Sequence, residues 1–416
     1  MPPALPSRLL LLAAVVLSTL SAQQPTRVVV DNLKDLQMCL NQPAGGPLVC
    51  ALRSSSTPYA VSGQPLIIKR SDTTLEGAIE ASEDPPTLRR TDPALTKMIW
   101  VQRMASNVTI KNLQFDGNKT IVPKSGNEDI FIDGSNATVS NNIFGESSYY
   151  CVYFGGPHAS IHDNTFGQLR AAGADHSAPG IGAAIKCWGK GATEFSIDSN
   201  KISDYRGGMS ITGVPNGSDP ATASVISNNT LYHDATCVPD CGGGQIYLAG
   251  SSNIKVTNNT LDGGWNESEN HDTVHSYGIE IDDHASYIYT SGNKIFNNSI
   301  SGIWIGNGAH HIVIENDNIY NNGLNGVQIA GTGSLAPVTD VSMIGVTANH
   351  NDLHRSARAP YPTLPRFWGV MIQNGQADGS VCIQTDSNLG VNAKGAIYAD
   401  SHGAYSKSPA CPRPYN

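Results

Sequence analysis

Two short patterns of apolar and polar positions recur along this chain, and both have the two-residue period of a β-strand. The first is a strand closing in an asparagine turn: VTIKNLQF at 108–115, ATVSNNIF at 137–144, SVISNNTL at 224–231, IKVTNNTL at 254–261 and IVIENDNI at 312–319. The second alternates aliphatic with other residues between small ones: AIKCWG at 184–189, GMSITG at 208–213, QIYLAG at 245–250, GIEIDD at 278–283, GIWIGN at 302–307, GVQIAG at 326–331 and GVMIQN at 369–374. Gly278, Gly302 and Gly326 stand 24 residues apart, and Ala184 to Gly208 repeats that interval. From Gly208 to Gln245 and from Gln245 to Gly278 the unit lengthens to 37 and 33 residues by insertion.

A fixed period of this size, with strands and no helical pattern between them, predicts an all-β parallel solenoid. One coil cannot bury its own apolar face, so each stacks on the next at roughly 4.8 Å. Asparagine suits the turns because it tolerates the left-handed backbone and can bond to a like residue one coil away.

Alignment of the second pattern on its glycines assigns the faces. Ile185 and Cys187, Met209 and Ile211, Ile246 and Leu248, Ile279 and Ile281, Ile303 and Ile305, and Val327 and Ile329 point inward. The outward column then runs Tyr153, Lys186, Ser210, Tyr247, Glu280, Trp304, Gln328, Met371, and a parallel row two residues on contains Trp188 and Asp282. A plain solvated sheet carries more Lys, Glu and Thr and fewer aromatics, so this face is expected to be a shallow groove. The insertions at 169–182, 232–244, 262–277 and 349–368 fall just before the same strand and contain His233, Trp265 and His271. Insertions in a solenoid collect on its binding face, although polar loops also serve as solvated decoration.

The pairing of asparagine turns with G-x-x-I-x-x-G-like strands resembles the right-handed parallel β-helix proteins of the pectate-lyase-like superfamily, over roughly residues 60–380. DNLKDLQMCLNQ at 31–42 reads as a short amphipathic helix with Asp31 as its N-cap, similar to the helix that caps the first coil in that superfamily. The resemblance implies a secreted polysaccharide lyase, glycoside hydrolase or uronate epimerase, or a non-enzymatic adhesin. Asp282–Asp283 resembles the paired Asp of polygalacturonases, but their Gly-His-Gly and Arg-Ile-Lys motifs are absent. So is the Asp-Pro-His motif of mannuronan epimerases. Fold and reaction are therefore separate questions.

Composition narrows the partners. Charged residues are 15 % of the chain and the formal net charge is −9, which argues against a nucleic-acid partner. An acidic polysaccharide stays open, because local charge decides that. The apolar run from Leu9 to Leu17 is short for a bilayer and fits a secretory signal peptide ending near Ala22, and no later segment suits a membrane span. The expected organisation is a signal peptide at 1–22, a cap region at 23–60, the β-helix at 61–380 and a C-terminal cap or tail at 381–416. Eight cysteines in an exported chain suggest disulfides, with Cys39/Cys50, Cys237/Cys241 and Cys382/Cys411 as sequence-near candidates. The glycosylation-like sequons at Asn107, Asn136, Asn258 and Asn297 coincide with repeat turns and are explained by the fold.

The strand GIEIDDH at 278–284 holds the candidate chemistry. Glu280 and Asp282 lie two apart on one face, about 7 Å between Cα atoms, with Asp283 at the strand exit. Carboxylates so close need a cation, a shared proton or generous solvent. As a catalytic pair they suit inverting hydrolysis, with Tyr247 or a loop histidine such as His271 moving protons and Trp304 as a platform for a sugar ring. As calcium ligands, Glu280, Asp282 and Asp283 suit a lyase in which Lys186 or Arg206 takes the proton. The third possibility is an acidic patch with no role. Lys186, Trp188, Trp304, Gln328, His233 and Trp265 are the expected substrate-binding residues. The expectation is a secreted protein that binds a polysaccharide or oligosaccharide in this groove and cleaves it, hydrolase and lyase both open. Its rival is a non-catalytic glycan-binding or structural solenoid.

Overall fold

The computed structural model describes residues 24–413 apart from 44, 79–83, 119–126, 146–148, 168–181, 204–206, 216, 233–243, 264–276, 332–335, 352–367, 375–380 and 401–402. The chain winds as a three-sided coil. Among the described residues, three sheets of 14, 12 and 11 strands run side by side, and each coil between Leu48 and Asn374 gives one strand to each sheet in chain order. All of the strand pairs are parallel, as a continuously wound solenoid requires.

The apolar alternation fills the interior. The twelve residues assigned inward above, from Ile185 to Ile329, are all fully buried. Phe115, Phe144 and Phe166 stack through three consecutive coils at 4.7 and 4.6 Å between ring centroids, the offset aromatic packing that rewards a strict repeat. Gly302 marks the bend into the second sheet. A Cβ there would sit 2.2 Å from Cγ2 of Ile319, so only glycine lets the two coils close.

The double asparagines divide their work. The first of each pair takes the left-handed conformation: Asn141, Asn228 and Asn258 have φ of 55°, 56° and 57°. The second forms an internal ladder. Asn142, Asn164, Asn200, Asn229, Asn259 and Asn293 each donate Nδ2 to the Oδ1 of the next rung at 2.9–3.1 Å, ending on Asp317. Each ladder oxygen also accepts a backbone amide, so the buried polar groups of the turn are satisfied. Asn107, Asn136, Asn258 and Asn297 all have positive φ, which accounts for the sequon asparagines as turn residues.

The ends differ from expectation in two places. The helix spans Leu33–Leu40, but its N-cap is Asn32, whose side chain accepts from the Asp35 amide at 2.9 Å. Asp31 instead faces Arg53 at 3.2 Å. The ladder also outruns the 61–380 span. Thr26–Val30 already pairs with Leu48–Arg53, and Tyr405–Ser408, within the expected tail, pairs with Val381–Gln384. Cys39–Cys50 and Cys382–Cys411 are bonded, one near each end. Cys237 and Cys241 lie outside the described residues, as does the segment 1–22. Cys151 and Cys187 are buried, and the ladder sets Cys187 beside Phe154.

Candidate active site

The second sheet carries the outward column in the register the glycines imply. Tyr153, Lys186, Ser210, Tyr247, Glu280, Trp304, Gln328 and Met371 are direct ladder neighbours, strand after strand. Trp188, Thr212, Ala249 and Asp282 form the row beside it.

Glu280 is the unusual member. It lies on the outer face yet is only 8 % exposed. The Gly244 strand of the preceding coil crowds it: a Cβ on Gly244 would be 2.9 Å from the Glu280 Cβ. Among the described residues, Glu280 Oε2 has no hydrogen-bond partner. Burial, with a smaller push from Asp282, raises its pKa to about 8, against the Gly244 amide that favours the ionised form. Asp282, half-buried, accepts from Asn307 Nδ2 at 2.6 Å and from the Asp283 amide at 2.8 Å. Asp283 and His284 both take left-handed backbone at the strand exit. Tyr247 stands beside Glu280 in the ladder, and burial followed by the charges of Asp282, Glu280 and Asp283 raises its phenol pKa. The hydroxyl is therefore kept as a hydrogen-bond donor.

Trp304 flanks Glu280 on the other side. Its indole lies across Gly306, where a Cβ would approach the ring to 2.1 Å, and Tyr277 tilts against it at 5.9 Å. Gln328 follows, its side-chain oxygen accepting from Ser301 at 3.0 Å. Three strands from Glu280, roughly 14 Å, Lys186 donates to Ser210 at 2.8 Å and sits 5.2 Å from the Trp188 ring. Burial lowers the Lys186 pKa to about 8. Trp188 is 62 % exposed and stands out on the face.

The structure thus brings Glu280, Asp282, Tyr247 and Trp304 together and sets Lys186 and Trp188 further along. Arg206, His233, Trp265 and His271 lie outside the described residues. Among the described residues no three His, Cys, Asp or Glu side chains converge as a metal-holding group.

The family described as right handed beta helix region matches residues 183–354. No curated protein matches the chain in sequence. Among solved structures it is similar to the Dettilon tailspike protein, at 14 % identity and TM-score 0.58 over 88 % of this chain and 64 % of that one. It is similar to the A-module of an Azotobacter vinelandii mannuronan C-5 epimerase, at 15 % identity and TM-score 0.58 over 91 % and 96 %. It is also similar to the catalytic unit of a Streptomyces thermodiastaticus α-1,3-glucanase, at 11 % identity and TM-score 0.53 over 92 % and 66 %. This chain is a right-handed parallel β-helix protein. At such identities the likeness carries the fold alone, and the chain spans less than two thirds of the tailspike's length.

The β-helix extends its outward column beyond the strands recognised in the sequence. Upstream of Tyr153 the ladder continues through Phe131 to Trp100. KMIWV has no bracketing glycine and EDIFI has only the trailing Gly134, so alignment on a leading small residue missed them. The aliphatic–aromatic–aliphatic triplets IWV, IFI and VYF are the signal that finds them. Glu128, in the row beside this column, is 4 % exposed, and burial raises its pKa to about 7 despite Lys97 and Arg90.

Proposed function

We propose that this protein is secreted, binds a polysaccharide along its second sheet and hydrolyses a glycosidic bond at Glu280 and Asp282. The observation that carries the reading is Glu280 itself: a carboxyl on the groove face, almost wholly buried, with an unpartnered oxygen and a pKa near 8. Such a group is largely protonated at neutral pH, which is what a general acid for a leaving sugar oxygen requires. Asp282, on the same face two residues along, is positioned by Asn307 to take a proton from water. The part-exposed Tyr247 hydroxyl donates to a sugar oxygen, and Trp304 offers a flat apolar surface to a ring.

Export is supported by the apolar run at Leu9–Leu17 and by the two disulfides. The carbohydrate reading is supported by the structural likeness to a mannuronan epimerase and an α-1,3-glucanase. Hydrolysis is preferred because the buried Glu280 carboxyl suits a general acid.

The test is incubation of the mature chain with neutral and acidic polysaccharides, with and without calcium, following reducing ends and 235 nm absorbance together. Reducing ends without absorbance, lost in Glu280→Gln/Asp282→Asn, support the hydrolase. Absorbance that appears only with calcium makes the chain a lyase and the carboxylates cation ligands. Silence across the panel leaves a non-catalytic glycan-binding solenoid.

A further inference from the structure

One buried cation on the groove face has no place in the proposed glycosidic hydrolysis. Lys186 is buried, and among the described residues no carboxylate pairs with it. Its Nζ is held 2.8 Å from Ser210 Oγ on the next strand and 5.2 Å from the Trp188 ring. Beside it stand Tyr153, on the preceding strand, and Cys187. Burial raises the pKa of both, that of Cys187 to about 12, so neither supplies an anion. A buried ammonium without a counter-ion is costly, and burial brings the Lys186 pKa down to about 8. The free amine is therefore populated near neutral pH.

Ser210 has the complementary exposure. It is part-exposed on the same face, so its hydroxyl is open to a substrate while the amine behind it is not. Tyr247 is the other ladder neighbour of Ser210, and burial, followed by Asp282, keeps its phenol protonated as a donor. The row beside these three runs Trp188, Thr212, Ala249. Thr212 and Ala249 are small, so a shallow space opens next to Ser210 with Trp188 as its wall, and a short acyl group suits it. A hydroxyl bonded to a desolvated amine, with a neutral donor on its far side, is an arrangement for acyl transfer.

We propose that Ser210 and Lys186 form a nucleophile–base dyad that removes short acyl esters from sugar hydroxyls, with Tyr247 donating to the oxyanion. With Nζ neutral, the contact to Ser210 reverses and the Oγ hydroxyl donates to Nζ. Oγ bonds to the ester carbonyl carbon as its proton passes to Lys186, and the carbonyl electron pair moves onto oxygen, which accepts from Tyr247. The bond from that carbon to the sugar oxygen then breaks, and Lys186 returns the proton to the leaving sugar. Water attacks the acyl-Ser210 by the same route, releasing a carboxylic acid and restoring the Ser210 hydroxyl. Ser210 lies two strands from Glu280, or roughly 10 Å. The two centres share one groove, but the dyad does not rest on cleavage at Glu280.

The test uses the full mature chain with p-nitrophenyl acetate and an O-acetylated gluco-oligosaccharide, following acetate release. In parallel, a fluorophosphonate is added and its adduct located by mass spectrometry. The expected results are an adduct on Ser210 and a release that rises with pH through about 8, as Lys186 loses its proton. That limb runs opposite to the one Glu280 imposes on glycan cleavage. Ser210→Ala and Lys186→Arg should each lower release about a hundredfold or more. Arg keeps the charge and the hydrogen bond but cannot become the free base. Lys186→Met, which buries no charge, should give the same loss and serves where the Arg variant does not fold. Release that persists in folded Ser210→Ala or Lys186→Met overturns the proposal, as does a folded wild type that takes no adduct on Ser210. Acetate release without glycan cleavage sinks the hydrolase reading and leaves the dyad standing. Glycan cleavage with neither acetate release nor adduct does the reverse.

Discussion

Thr290 donates its hydroxyl to Asp317 at 2.6 Å at the rung where the internal asparagine ladder changes to aspartate. In earlier rungs Nδ2 also donates to a backbone carbonyl of the preceding coil, as Asn293 does to Val256. Aspartate has no such donor, and the residue beneath it is Thr rather than the Val or Ile of earlier coils. The two substitutions compensate. Asp317 is fully buried, and desolvation raises its pKa to about 7 against the hydrogen bonds from Thr290 and Asn293.

Because the folded pKa lies above the unfolded one, the contribution of Asp317 to stability is full at low pH. It falls as pH rises from about 4 through 7, by up to about 4 kcal/mol. Asp317→Asn restores the ordinary rung and should flatten this part of the stability–pH curve, raising the melting temperature at pH 8 more than at pH 5. Thr290→Val alone strands the Asp317 oxygen and should cost about 1–3 kcal/mol. In the Asp317→Asn background the same change should be nearly neutral. A thermal double-mutant cycle at two pH values measures the coupling; additive effects would refute it.

Glu280 pits activity against stability. Its pKa near 8 predicts that hydrolysis declines as pH rises through that value, since the acid must hold its proton. Glu280→Gln should lower kcat by about a hundredfold or more. It should also stabilise the fold above pH 8, where the wild-type group is ionised in a buried place. Rate–pH profiles on a responsive glycan, with melting temperatures of both proteins at pH 6 and pH 9, test the two halves. A Gln variant no more stable at pH 9 than at pH 6, relative to wild type, contradicts the burial argument.

The register of Glu280 between Tyr247 and Trp304 was legible because glycines and aliphatic alternation set the strand phase, and a one-residue slip would expose Ile279 and Ile281. The burial of Glu280 was not legible, for it depends on how closely the Gly244 strand packs against it. The capping helix was legible to within one residue. Asn32 outcompetes Asp31 because its side chain reaches the third helical amide, while Asp31 turns to Arg53 across the cap. Phe131 and Trp100 escaped because their strands follow no glycine. Thr290 was invisible because it resembles any strand threonine until Asp317 is set one coil above it.

Gly306 holds the Trp304 platform flat. Its backbone permits other residues, yet a Cβ would meet the indole at 2.1 Å, so Gly306→Val must tilt the ring away from the sheet. The fold should survive, since Gly306 lies at the end of its strand, Ser301–Gly306. Substrate affinity should fall about as far as in Trp304→Ala, roughly tenfold for one lost stacking contact. Binding titrations of both single variants and the double variant decide the matter. If Gly306→Val weakens binding further in the Trp304→Ala background, the glycine has another role.

Lys186 separates neutral from acidic substrates. The residue is 7 % exposed, its ammonium is bonded to Ser210, and burial depresses its pKa to about 8. A base with a depressed pKa contributes fully to stability above its unfolded value near 10.5, and that contribution is lost as pH falls through 8. Lys186→Met keeps the stem length and removes the desolvated charge, so it should raise the melting temperature at pH 7, with the gain vanishing toward pH 10.5. If the groove accepts an acidic glycan, Lys186 supplies the cation, and the Met variant should lose about tenfold or more in affinity for it. For a neutral glycan the variant should bind as wild type. Parallel titrations with oligogalacturonate and a neutral gluco-oligosaccharide give the answer, and equal loss on both would mean that Lys186 shapes the groove through packing rather than charge.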